Sequence, residues 1–161
     1  MLRMFDGSRR RALAVIVGAA LTVAACARNN EVEGDGTIAP GSAQDFVVNV
    51  GDRVFFTVDS SQVNPQAADT LTKQAQWLNL YPQYTILIEG HADERGTREY
   101  NIALGARRSV AVRDFLISRG VAANRLQTIS YGKERPVAVC NDESCWTQNR
   151  RAVSVLTNAG S

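Results

Sequence analysis

The stretch from Thr85 to Arg108 constrains this chain more than any other. Thr85 to Glu89 (TILIE) is a short apolar, β-branched run of the kind that makes a buried strand. Gly90 to Gly96 (GHADERG) is a polar turn, and a helical pattern runs from Arg98 to Arg119. The join places one carboxylate, Asp93, near a helix N-terminus. Asn101 and Arg108 stand seven residues apart. At about 100° per residue they fall only about 20° short of two turns, so they share a face. An acid and a base held apart on a polar ledge form a receptor for a small zwitterion rather than a catalytic device.

The same periodicities organise the rest. Phe46 to Val50 and Asp52 to Asp59 read as strands. Asn64-Pro65 reads as an N-cap followed by Pro at the first helical position. The helix it opens should run to about Asn79, burying Ala67, Leu71, Ala75 and Leu78, and Tyr81-Pro82 stops it. The helix from Arg98 is expected to turn Ile102, Ala106, Val110 and Ile117 inward, flanked by Ala103, Phe115 and Leu116, with Gly120 just past its end. Leu126 to Tyr131 is a third core strand and Arg151 to Thr157 a last one. Alternating strands and helices give an α/β sandwich of one sheet and two main helices.

The N-terminal residues do not belong to that fold. Arg3, Arg9, Arg10 and Arg11 form a basic region, and Ala12 to Ala25 is an apolar run of 14 residues. That is shorter than the roughly 20 residues a membrane span requires. Val23-Ala24-Ala25-Cys26 resembles a lipobox, which makes residues 1–25 a lipoprotein signal peptide and Cys26 the lipidated first residue. Ala27 to Gln44 lacks apolar periodicity and reads as a flexible tether. Its reach is about 60 Å when extended at roughly 3.3 Å per residue. The expected organisation is signal peptide 1–25, lipidated cysteine and tether 26–42, and folded domain 43–161.

The charge balance follows from this division. The whole chain has 18 Lys+Arg and 16 Asp+Glu; the leader holds four arginines and Asp6, so 14 basic and 15 acidic residues remain. A near-neutral mature chain gives no electrostatic argument for nucleic-acid binding. Cys140 and Cys145 are the cysteines left after the anchor. Their spacing in an exported protein suits a local disulfide, with free thiols as the alternative. A metal site would need more ligands nearby, and the only histidine is His91.

Each polar residue also has a plain reading. Asp93 can be a helix cap. Asn101 and Arg108 can be solvated surface, and Asn149-Arg150-Arg151 a charged strand edge. The motifs decide between these readings. Gly90-His91-Ala92-Asp93-Glu94-Arg95-Gly96, Tyr100-Asn101-Ile102 and Arg107-Arg108 resemble the signature of OmpA-like peptidoglycan-binding domains. Phe55 to Asp59, Ser130 to Pro136 and Asn149-Arg150-Arg151 resemble further segments of that family, in order. The resemblance covers about residues 45 to 157 and implies a β-α-β-α-β-β sandwich with one mixed sheet against two main helices.

It also implies a ligand, the diaminopimelate of the peptidoglycan stem peptide. By resemblance, Asp93 takes its ammonium, Arg108 takes its carboxylate as a planar fork, and Asn101 adds an amide contact. Asp59, Ser60 and Arg150 are implied pocket neighbours. The family further implies an outer-membrane lipid anchor facing the periplasm, the TolB propeller protein of the Tol cell-envelope and division system as partner, and no cofactor. Arg28, with no Asp beside the anchor, accords with outer-membrane sorting. The cysteine pair departs from the pattern of many members. An enzyme would require a nucleophile with its base, a zinc set or two opposed carboxylates. With one histidine, no Ser-x-x-Lys, and Asp93 and Glu94 adjacent, the chain offers none of these.

Overall fold

The computed structural model describes residues 38–157. The leader, Cys26 and the tether as far as residue 37 lie outside the described residues. The chain enters through a short helix, α1 (Ala43–Asp45), which continues as a π-helical turn, Phe46–Gly51. The elements that follow are β1 (Arg53–Phe55), α2 (Pro65–Leu80), β2 (Ile86–His91), α3 (Arg98–Ser118), β3 (Leu126–Gly132), α4 (Glu143–Asn149) and β4 (Arg151–Leu156). The sheet has four strands in the order β1-β4-β2-β3. β4 runs antiparallel to both β1 and β2, whereas β2 and β3 are parallel and joined across α3. This is the expected mixed sheet with two main helices.

The second helix forms as its sequence dictates. The Asn64 side chain accepts from the Ala67 N–H at 2.8 Å, Pro65 occupies the first turn, and Ala67, Leu71, Ala75 and Leu78 are buried.

Three expectations are corrected. Phe46 to Val50 is not a strand. Phe46 is buried against Trp77 at 5.0 Å between ring centroids, while Val47 and Val48 stay exposed. The Trp77 indole N–H donates to Asp45 at 2.8 Å and Gln74 donates to the Gly51 carbonyl at 2.6 Å. These contacts coil the segment over α2 against its β propensity. The first paired strand, expected over Asp52 to Asp59, stops at Phe55, because the chain then turns towards α3.

The third correction concerns α3. Its inner face is Asn101, Leu104, Gly105, Arg108, Ser109, Val112 and Leu116. Ile102, Ala106 and Val110 are only half-buried and Ile117 is exposed. The helix turns a polar stripe inward because that stripe finds partners there. The Ser130 hydroxyl donates to the Ile102 carbonyl at 2.7 Å, and Gly105 lies against the backbone of Gly90.

Candidate functional site

Close packing of α3 on β2 carries Asn101 and Arg108 beneath the loop that links the two elements. Arg108 is wholly buried, at 0% exposure. Its Nε donates to the Ser60 carbonyl at 2.8 Å, Nη1 to the His91 carbonyl at 2.7 Å and Nη2 to the Thr57 carbonyl at 3.1 Å. Its guanidinium also lies 5.1 Å from the Phe56 ring centroid. A guanidinium has five N–H donors, so one remains on each terminal nitrogen. Burial, opposed in part by the nearby Asp93 charge, brings its pKa down to about 10, and it stays cationic at neutral pH.

Asp93 does not cap α3. Thr97 does so, accepting from the Tyr100 N–H at 3.2 Å. Asp93 is 8% exposed and accepts four hydrogen bonds. Oδ1 receives the Arg95 backbone N–H at 3.2 Å and Arg95 Nε at 3.3 Å. Oδ2 receives Arg95 Nη2 at 2.7 Å and Arg150 Nη1 at 3.3 Å. Burial pushes the carboxyl up, but the Arg95 and Arg150 hydrogen bonds outweigh it and hold the group below the ordinary carboxylate value.

The other expected residues gather around these two. Asn101, 1% exposed, donates to the Arg95 carbonyl at 2.8 Å and so braces the loop from below. Asp59, in the left-handed region at φ 53°, accepts from the Tyr100 hydroxyl at the rim. Ser60 contributes its carbonyl to Arg108 rather than its side chain to the cavity. Arg150 is buried behind Asp93, donating also to the Phe56 carbonyl at 3.2 Å and to Glu143. Thus Asn101, Arg108, Arg150 and Arg151 are not solvated surface: all four are buried. Arg108 and Arg150 read as surface in the sequence because their partners lie on distant segments.

Asp59, Asp93, Asn101 and Arg108 line one pocket of about 340 Å³, together with Val58, Arg95, Gly96, Tyr100 and Leu104. Sequence reasoning passes over Arg95 and Tyr100 as site residues, although both lie inside the quoted motif. Lys133 holds the loop from the far side, donating to the Glu94 and Gly96 carbonyls at 3.1 and 2.7 Å. Trp146 of α4 lies 4.1 Å from the Arg95 guanidinium and donates to Glu94 at 3.0 Å. Helix α4 has no counterpart in the periodicity reading. Cys140 and Cys145 are joined in a disulfide at its start.

Residues 55–151 match the OmpA family. A peptidoglycan-associated lipoprotein of Mesorhizobium japonicum is 61% identical, over 94% of this chain and 95% of its own. The chain belongs to the OmpA family, among its peptidoglycan-associated lipoproteins. Its resemblance to other members of this OmpA-family group is as even: the Brucella melitensis protein of the same description is 57% identical over 99% of both chains. The crystal structure of the peptidoglycan-associated lipoprotein from Burkholderia pseudomallei superposes with a TM-score of 0.64 at 47% identity, over 66% of this chain and 90% of that one. The C-terminal domain of Helicobacter pylori MotB shares the fold, with a TM-score of 0.62 at 24% identity over 66% of this chain and 84% of that one. Among the described residues no helix is long and apolar enough to cross a membrane.

Proposed function

We propose that this protein is a non-enzymatic anchor that grips peptidoglycan through the diaminopimelate of the stem peptide. Residues 1–25 direct export, Cys26 carries the lipid that holds the outer membrane, residues 26–42 span, and the domain 43–161 binds the wall from the periplasmic side. A triacylated cysteine anchors firmly, where one acyl chain binds only marginally. The protein partner is a TolB-like propeller of the Tol system, and no cofactor takes part.

One observation carries the reading. A charged carboxylate, Asp93, and a charged guanidinium, Arg108, line one pocket, joined by Asn101. Meso-diaminopimelate carries an ammonium and a carboxylate on one carbon, which matches that pair. The ammonium meets Asp93 as the Arg95 side chain yields its place. The carboxylate takes the two N–H groups of Arg108 that the backbone leaves unused. A lysine-type stem peptide lacks the second carboxylate and leaves Arg108 without its partner, so the pocket discriminates against it.

The test is binding of the detergent-solubilised full-length chain to purified sacculi, with a diaminopimelate-type or a lysine-type stem peptide, each with its α-amino and α-carboxyl groups in amide bonds, as competitor. Release by the diaminopimelate-type peptide and not by the lysine-type peptide is the expected result. Equal release by both, or by neither, would overturn the assignment.

A further inference from the structure

Helix α4 has 7 residues, well below the roughly 12–15 at which an isolated helix becomes even marginally stable, so tertiary ties must hold it. Those ties sit at both ends. Cys145, buried in α4, is bonded to Cys140 with a Cα–Cα distance of 5.7 Å. At the other end the Asn149 side chain accepts from the Val137 and Ala138 N–H groups at 2.8 and 3.2 Å and donates to the Ala138 carbonyl at 2.7 Å. The segment before α4 is thereby fastened to it twice.

What α4 presents is directed at Asp93. Glu143, Trp146 and Arg150 follow one another at three and four residues, which places them on one side of the helix. Trp146 stacks on Arg95, Glu143 receives Arg150 Nη2, and Arg150 Nη1 reaches Asp93. The two arginines on Asp93 are not equivalent. The Arg95 side chain is 40% exposed, whereas that of Arg150 is 5% exposed and is held also at the Phe56 carbonyl and at Glu143. When an ammonium displaces Arg95, Arg150 is the partner that stays and keeps the carboxylate aimed.

We infer that the disulfide-stapled helix α4 is a positioning element of the pocket, fixing Arg150 and, through Arg150, the carboxylate of Asp93. The inference rests on the diaminopimelate reading above and deepens it. The charged groups that face Asp93 are Arg95 on its own loop, Arg150 ahead of β4 and Arg108 on α3, with Glu143 of α4 behind Arg150. Burial pushes the Asp93 carboxyl up and the arginines draw it down, so a loosened Arg150 must let it rise.

The experiment compares the detergent-solubilised full-length chain with Cys140→Ser/Cys145→Ser, with Arg150→Lys, and with all three changes together. Two quantities are measured: the titration of the Asp93 carboxyl by NMR without ligand, and sacculus affinity competed by the diaminopimelate-type peptide. The serine pair and Arg150→Lys should each raise the Asp93 midpoint and weaken binding, by about 2-fold to 30-fold. The combination should bind no more weakly than Arg150→Lys alone, because both changes act through one residue. The serine pair lies outside the hydrophobic core cluster, and thermal unfolding checks that it still folds. Glu143→Ala, at an exposed position, repeats the test from the far side of Arg150, and its loss of affinity should vanish in the Arg150→Lys background. Additive losses, or an Asp93 midpoint unmoved in a folded serine variant, would overturn the inference. If the parent itself shows no binding that the diaminopimelate-type peptide competes, the ligand reading fails, and the Asp93 titration alone still judges the hold of α4.

Discussion

Gly105 of α3 rests directly on Gly90 of β2. A Cβ on Gly105 would stand 2.8 Å from the Gly90 carbonyl oxygen, and one on Gly90 would overlap the Gly105 carbonyl. This backbone-to-backbone approach brings the helix close enough for Arg108, one turn on, to reach three carbonyls from two separate segments. Gly105→Ala should therefore lift α3. We expect overpacking of about 1–3 kcal/mol and a loss of wall binding with no pocket side chain changed. Urea unfolding and sacculus binding check it; wild-type behaviour in both would mean that the approach does not set the pocket.

Arg108 should prove both a structural hub and a ligand group. Arg108→Ala leaves three carbonyls without their donor, and we expect roughly 2–4 kcal/mol of destabilisation together with lost binding. Arg108→Lys should recover part of the stability but little of the affinity, because an ammonium cannot present a two-pronged contact. Thermal unfolding beside calorimetry with a diaminopimelate peptide separates the two roles.

Asp93→Asn keeps the shape and removes the charge. Binding should fall by about 30-fold to several thousand-fold, the cost of a buried charged contact that loses its partner. Stability should fall by about 1–3 kcal/mol, since Arg95 and Arg150 lose their carboxylate. A folded Asp93→Asn protein that binds like the parent would place the site elsewhere.

His91 should make stability decline in mild acid. It is 2% exposed; the Glu89 carboxylate stands 3.6 Å from Nε2, beyond hydrogen-bond reach, and neither ring nitrogen has a hydrogen-bond partner among the described residues. Burial first, then the charges of Arg151 and Arg135, lower its pKa from 6.5 to about 4. The unfolded chain takes up its proton near pH 6.5 and the folded one near 4, so stability falls as pH drops through that window. The fall should be roughly 2–4 kcal/mol. Asp93 acts in the same sense lower down. Its contribution is present above the ordinary value of 3.8 and is lost as pH falls through its depressed folded value. His91→Phe should flatten the upper part of the curve. Urea midpoints between pH 7.5 and 4.5 provide the check, and an unchanged slope in His91→Phe would refute it.

Cys26→Ser should leave the leader uncleaved by the lipoprotein peptidase and the protein absent from the outer-membrane fraction. Metabolic labelling with a fatty acid, followed by membrane fractionation, reads both. Normal processing and fractionation of the serine variant would remove the anchor from the proposal.

The elements whose cause is local were legible in the sequence. Asn64-Pro65 starts α2, the apolar spacing of Ala67 to Leu78 sets its inner face, and the β-branched run from Thr85 marks β2. Asp93, Asn101 and Arg108 were legible as a group because a motif places them together. Tertiary structure decided the rest. It coiled Phe46 to Gly51 over Trp77, turned the polar stripe of α3 inward, and buried Arg108 and Arg150. A polar side chain is buried only where donors meet acceptors, and the partners of Arg108 and Arg150 lie up to 94 residues away in the chain. Helical periodicity scores the apolarity of neighbours along one segment. It carries no record of a carbonyl that another segment will bring within reach.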